Sequence, residues 1–144
     1  MCGCIWGDVM LLPDIGDFLS TGGLGLTTGT NLFLGRMPAL PITASAVYET
    51  GGQATVHAFG ATAGSAAVME RPRFQVVVRS SGGYAAARST MQGIFTRLDG
   101  ARDQTINGIR YDWIASVQSP FFLKTDENDH SLIAVNFDVS KRVG

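Results

Sequence analysis

The chain has 144 residues, of which 45% are hydrophobic and 16% charged, and its formal net charge is −1. This length suits one compact domain, so we expect a single domain over residues 1–144, and the near-neutral charge gives no electrostatic reason for tight binding to nucleic acid. No apolar run reaches the ~20 residues of a membrane-spanning helix, and no basic residue precedes Arg36, so neither membrane insertion nor a secretory signal peptide is expected. The low charge content favours a surface that protein partners cover.

The first predicted element is an amphipathic helix. Apolar residues between Ile5 and Leu19 fall mainly on one helical face, with Asp14 and Asp17 off that face. Pro13 lies inside the pattern, so the helix either begins near it or kinks there, and glycines from Gly22 onward end it.

Two strands and a glycine-rich stretch follow. Residues Thr30 to Met37 and Ala44 to Thr50 predict strands joined by a turn at Pro38 and Pro41, in an undetermined register. Gly51 to Met69 has few large apolar side chains and predicts a long loop or an extended hairpin. Segments of this kind in a compact domain are often functional, so we expect this one to be a contact element.

The middle of the chain predicts a central strand followed by a helix. Arg73 to Arg79 encloses three consecutive valines, typical of a strand buried on both faces, and Val77 should therefore be buried. Tyr84 to Leu98 has an apolar helical face, with Arg88 and Arg97 expected to point outward.

The last third predicts two antiparallel strands, Ile109 to Val117 and Ser131 to Val139, joined by a polar loop over Thr125 to Asp129. The second strand alternates, and its apolar face should pack on the helices through Ile133, Val135, Phe137 and Val139. The predicted fold is therefore α+β: a mixed or mainly antiparallel sheet with two helices on one face, plus a long extended loop or hairpin.

The sequence offers no constellation for catalysis or metal binding. His57 and His130 lack a second ligand at metal spacing, and the acidic run from Asp126 lacks the glycine and the distal glutamate of a calcium loop. Cys2 and Cys4 are too few for a cysteine metal site, and no nucleophile elbow is present. We therefore expect a non-enzymatic protein without metal or cofactor.

The charges are unevenly distributed along the chain. Arginines crowd the middle, whereas aspartates lie toward the ends, an arrangement that suits head-to-tail contact between copies; scattered solvated charges explain it equally well. The candidate interface residues are Val56, Phe59, Val68, Met69, Arg71, Arg73, Arg88, Asp126, Glu127 and Asp129.

Several short segments resemble one known family in their order and spacing. They are Ser45 to Gly52, Glu70 to Arg79, the helix from Tyr84, Gln118 to Pro120, Asp126 to Asn128, and Val135 to Phe137. Together, over roughly Leu32 to Val139, they resemble the phage minor capsid and tail terminator family.

This resemblance implies a structural subunit of a long-tailed phage. It implies a hexameric ring that caps the tail tube, contacts the tail tube protein and the head-tail connector or stopper protein, and lets DNA pass through its lumen without sequence-specific binding. It also implies a place at the neck of the virion after assembly in the host cytoplasm.

Two alternatives remain open from the residues. One is a head-completion or connector subunit. The other is a small ligand-binding or enzymatic domain that uses Arg71, Arg73 and Tyr84 to bind an anion near a helix N-terminus.

Overall fold

A computed structural model of the chain describes residues 11–57 and 67–142. The elements, in chain order, are α1 (Leu11–Ser20), β1 (Leu32–Leu34), β2 (Ala44–His57), β3 (Ala67–Arg79), α2 (Tyr84–Leu98), β4 (Ala101–Ile106), β5 (Ile109–Ser116), β6 (Phe121–Thr125) and β7 (Ser131–Arg142). The α+β class predicted from the sequence is confirmed. Among these described residues, no helix combines the length and apolar character needed to cross a membrane.

The strands form one seven-stranded sheet in the order β1-β2-β3-β7-β5-β4, with β6 also paired to β7. All pairs are antiparallel except β1 with β2, which is parallel. β7 is the organising strand. One of its edges pairs with β3 along almost the whole length, and the other is shared between β6 near Ser131 and β5 near Lys141.

The core lies between the two helices and one face of this sheet. The predicted inward residues of β7, namely Ile133, Val135, Phe137 and Val139, are all fully buried. Phe74 of β3 stacks on Phe137, with ring centroids 5.2 Å apart. Val77, which lies on the opposite face of the sheet, is buried as predicted, at 5% exposure, and β3 lies between β2 and β7.

The helix α2 has the bounds that the sequence predicts. Its buried residues Ala87, Met91, Ile94 and Leu98 follow helical spacing and form one apolar stripe. The prediction that its arginines point to solvent is wrong. Arg97 lies 3.9 Å from the ring centre of Phe18 and donates hydrogen bonds to the Phe18 carbonyl, and Arg88 donates to the Pro120 carbonyl at 2.7 Å.

The first helix differs from its prediction in one important respect. Within the described residues it begins at Leu11, so Pro13 occupies the first turn, where its missing N–H removes no helical hydrogen bond. Asp14, predicted to lie off the apolar face, is fully buried. The part of the predicted helix before Leu11 lies outside the described residues.

Three other strand predictions need correction. β4 and β6 were not predicted, and β5 and β7 are therefore joined through β6 rather than by a simple polar loop. β1 is shorter than the predicted strand over Thr30 to Met37. β2 and β3 extend into the stretch Gly51 to Met69 and pair there, while residues 58–66 lie outside the described part, so the long loop or extended hairpin stays a prediction.

Candidate assembly surface

The most prominent surface feature is the extension of β2 and β3 beyond the centre of the sheet. We call residues 49–57 of β2 with residues 67–72 of β3 the arm. Its ladder is irregular, because the pairs Gln53↔Arg71 and Val56↔Met69 are separated by register shifts. Such bulges increase local twist and interrupt regular pairing. The arm contains the predicted interface positions Val56, Val68, Met69 and Arg71; Phe59 lies outside the described residues.

Two adjacent glycines in the arm have different roles. A Cβ atom on Gly52 would lie 2.3 Å from the carbonyl oxygen of Arg71 and 2.7 Å from the Cα of Pro72, a separation that backbone atoms do not tolerate. A Cβ atom on Gly51 would meet open space. Gly52 therefore allows the close approach of the two strands, whereas Gly51 leaves a bare stretch of backbone on the surface.

A polar cluster around the fully buried side chains of Asp14 and Tyr111 lies at the base of the arm. The Tyr111 hydroxyl donates to Asp14 Oδ2 at 2.5 Å, and Asn107 Nδ2 donates to Asp14 Oδ1 at 2.8 Å. Lys141 is nearby, with its Nζ 3.5 Å from Glu70 Oε1. These contacts join α1, the β4–β5 turn, β7 and β3.

The cluster places an acid where ionisation is costly. Burial raises the pKa of Asp14, while hydrogen bonds from Tyr111 and Asn107 and the charge of Lys141 act in the opposite direction. Burial, followed by the hydrogen bond to Asp14, also raises the pKa of Tyr111, which stays protonated and acts as a donor. The cluster is best understood as a structural support for the arm.

A groove of about 610 Å³ separates the start of α1 from the arm. Its lining includes Leu11, Leu12, Glu49, Gly51, Gln53 and Lys141. The mixture of apolar and charged lining, open to solvent, is typical of a contact surface and not of an enclosed ligand pocket.

A second feature is the acidic turn, residues 126–129, which joins β6 to β7. Asp126 Oδ1 accepts hydrogen bonds from the backbone N–H groups of Asn128 at 3.0 Å and His130 at 2.8 Å, and the His130 bond is the main cause of its lowered pKa. Glu127 and Asp129 are exposed. The turn borders a groove of about 660 Å³ beside Leu40, which is 72% exposed.

The predicted interface residues do not lie on one continuous surface. The acidic turn precedes Ser131 at the start of β7, while the arm lies at its other end, where Met69 pairs with Arg142. At ~3.3 Å per residue, the length of β7 separates the two surfaces by roughly 35–40 Å. Arg73 is paired within the subunit: its Nε lies 2.6 Å from Asp138 Oδ1, and that bond raises the Arg73 pKa.

The arginines do not form one basic surface. Arg79 is buried and donates to the carbonyls of Ile42, Pro38 and Pro41, which holds the segment between β1 and β2 against the sheet. Arg110 pairs with Asp103. The structure thus favours scattered, individually engaged charges over two large opposite patches.

The described residues contain no group of three His, Cys, Asp or Glu side chains able to hold a metal ion. His130 Nδ1 lies 3.5 Å from Asp126 Oδ2, without a further ligand in the described part of the chain. Because Arg73 is engaged by Asp138, the geometry does not favour the proposed anion site formed by Arg71, Arg73 and Tyr84.

Sequence reasoning missed a third feature, the strand β6. Four of its five residues are exposed, including Phe122 at 49% and Leu123 at 39%. The consecutive apolar residues after Pro120 were the available signal. An edge strand with exposed apolar side chains is a typical site of association.

An α+β domain with open strand edges and exposed apolar side chains on β6 offers surfaces for association with other proteins. A family model described as "Bacteriophage tail terminator protein" matches residues 18–142. The chain belongs to this family and is a structural protein of a phage virion. The resemblance inferred from the sequence is thereby confirmed.

Solved structures also resemble this chain. A chain in the structure titled "Virion of native gene transfer agent (GTA) particle" has a TM-score of 0.61 at 16% identity, covering 92% of this chain and 95% of that chain. At this identity the likeness concerns the fold. No curated protein sequence matches the chain.

Proposed function

We propose that this chain is the tail terminator of a long-tailed phage or phage-like particle, and that six copies form a ring that caps the finished tail tube. The observation that carries the proposal is the family match, which extends over residues 18–142 and so includes both the arm and the acidic turn. The ring is non-enzymatic and needs no cofactor.

The separation of the candidate surfaces supports a ring. A subunit whose contact surfaces lie at opposite ends makes head-to-tail contacts, which close into a ring when the rotation between copies is suitable. We assign the arm, with Met69 and Arg71, and the region of the acidic turn, with Glu127 and Asp129, to contacts with other proteins. Arg88 has an internal hydrogen bond and serves the subunit's own packing.

The faces of the ring contact different partners. One face contacts the tail tube protein, and the other contacts the head-tail connector or stopper protein, so that the ring joins tail to head at the neck of the virion. Assembly takes place in the host cytoplasm.

DNA passes through the lumen without sequence-specific binding. Tight binding would require many free cations for phosphate contacts. The net charge is −1, and Arg73, Arg79, Arg88, Arg97 and Arg110 are engaged in contacts within the subunit. A weakly interacting lumen allows DNA to move through it.

A joining assay tests this function and its nearest alternative. Particles produced without this protein should accumulate separate tails and filled heads, and the purified protein should bind the tails and restore joining. Binding to heads with no affinity for tails would instead identify a head-completion subunit. A small molecule that raises the melting temperature, with no effect on joining, would support the ligand-binding alternative.

A further inference from the structure

The free edges of the sheet differ in how easily a strand of another molecule could pair with them. β1 has three residues, and the Leu32 carbonyl accepts a hydrogen bond from Gly29 N–H at 2.8 Å, so its outer edge is partly used. β4 carries Asp103 at a φ of 53°, with its carboxylate bonded to Arg110. Short strands, local kinks and charges all protect an edge against pairing.

β6 has a register shift between Phe122 and Lys124 in its pairing with β7, but its free edge exposes the apolar side chains of Phe122 and Leu123. Phe121 pairs with Ala134 and Phe122 with Ile133, while Ile133 pairs with Val78 on the other side of β7. Ser45 N–H donates to the carbonyl of Asn31, the residue before β1, so the backbone groups of Ser45 point toward that side of the sheet. Along a strand, the backbone groups of successive residues point alternately to its two edges. We applied this alternation from β2 through β3 and β7 to β6, using the registers of the paired strands. The backbone N–H of Phe122 then points away from β7, toward the free edge of β6.

The arm presents a second edge that is open to another strand. β1 covers the outer side of β2 only at Ser45–Val47, and beyond Val47 no strand within the described residues pairs on that side. Ser45 N–H donates to Asn31 at 2.9 Å and the Val47 carbonyl accepts from Gly35 at 2.7 Å, both across this outer side. By alternation, the backbone groups of Glu49 also face the free edge.

These two edges lie on opposite sides of the sheet and complement one another. β6 offers bulky exposed Phe122 and Leu123, whereas the arm offers the bare backbone of Gly51. Lys124 and Glu49 carry opposite charges and have no ion pair among the described residues. The edges therefore match in shape and in charge.

We propose that β6 of one copy adds to the arm edge of β2 in the next copy, near Glu49, so that the sheet continues from subunit to subunit. The occupant of each edge is a second copy of this chain. Main-chain hydrogen bonds hold the strands together, while the apolar side chains of β6 lose their exposure to water. This inference rests on the proposed ring and names the contact that builds it.

Proline substitutions test the pairing directly, because proline removes one backbone donor. Glu49→Pro and Phe122→Pro each remove an edge-facing N–H that no strand within the described residues uses. Glu49→Gln and Phe122→Leu are the matched controls, since they keep the N–H and much of the side chain. Thermal melting of each variant checks that the subunit still folds.

Native mass spectrometry should show wild type and both controls at about six times the 15.3 kDa of one chain, and each proline variant as a single subunit. In a mixture of the two proline variants, the Glu49→Pro protein keeps an intact β6 edge and the Phe122→Pro protein keeps an intact β2 edge. It should therefore form one-to-one dimers and no ring. Rings formed by both proline variants, or a mixture that stays entirely as single subunits, would overturn the proposal.

Hydrogen exchange on the wild type gives an independent test that needs no substitution. The amides of Glu49 and Phe122 should exchange more slowly in the ring than in the dissociated subunit; equal rates in both states would overturn the pairing. A wild-type chain that stays a single subunit even in the presence of tails would contradict the ring function itself, which distinguishes the two failures.

Discussion

Replacing Tyr111 by phenylalanine removes one hydroxyl from the buried cluster at the base of the arm. That hydroxyl is a 2.5 Å hydrogen-bond donor to Asp14, whose side chain is fully buried. A hydrogen bond to a charged group contributes about 1.5–3 kcal/mol, and its loss leaves the carboxylate under-solvated. At roughly 4 °C per kcal/mol for a chain of this length, the melting temperature should fall by roughly 6–12 °C near pH 7.

The loss of stability caused by Tyr111→Phe should depend on pH, in a direction that follows from the raised pKa of Asp14. Because burial raises the pKa of Asp14 above 3.8, its ionisation costs the folded state free energy, and this cost appears as the pH rises through the folded-state pKa. Tyr111 stabilises the ionised form and so reduces the cost. The destabilisation by Tyr111→Phe should therefore be largest near pH 7 and smaller near pH 4, where more of the carboxyl is protonated.

Differential scanning calorimetry at both pH values measures the effect. Tyr84→Phe is the matched control, because the Tyr84 side chain is 51% exposed and its hydroxyl makes no hydrogen bond within the described residues. Equal melting temperatures for the Tyr111→Phe and Tyr84→Phe proteins at pH 7 would refute the argument that the cluster supports the fold.

Three further predictions concern the arm, the central strand β3 and the expected absence of a metal site at His130. Gly52→Ala, which places a methyl group 2.3 Å from the Arg71 carbonyl, should lower the melting temperature and weaken assembly, while Gly51→Ala should be nearly neutral; similar melting curves for the two would contradict the geometry. Val77→Asp should be insoluble or unfolded, because an unpaired charge at a 5% exposed position costs several kcal/mol, whereas Val117→Asp, at 46% exposure, should remain soluble. His130→Ala should assemble normally; elemental analysis that finds stoichiometric metal in the wild type and none in this variant would show that a metal site exists.

The elements predicted correctly are those with strong local patterns. β7 alternates apolar and polar residues, and α2 has one apolar stripe between two glycine-rich ends, so their positions follow from periodicity alone. β4 carries no such pattern, and β6 has only a short apolar run after Pro120. Their pairing with β5 and β7 determines their conformation, which is information that neighbouring residues do not contain.

The buried acid shows a similar limit. Asp14 fits the polar spacing of an amphipathic helix, but its partners Asn107 and Tyr111 are 93 and 97 residues away. Only the folded chain brings them together. The candidate surface was only partly predictable. The composition of the sequence indicated the arm and the acidic turn, but the distance between them along β7 depends on strand pairing, which the composition does not show.

Electron cryomicroscopy of the particle that contains this protein would reveal both the position of the chain and its contacts. We expect a closed ring of six copies at the neck, between the tail tube and the head connector, with continuous sheet density from β6 of each copy to β2 of the next. Density for this chain at another position in the particle, or as isolated subunits without a ring, would show that it is not a ring-forming tail terminator.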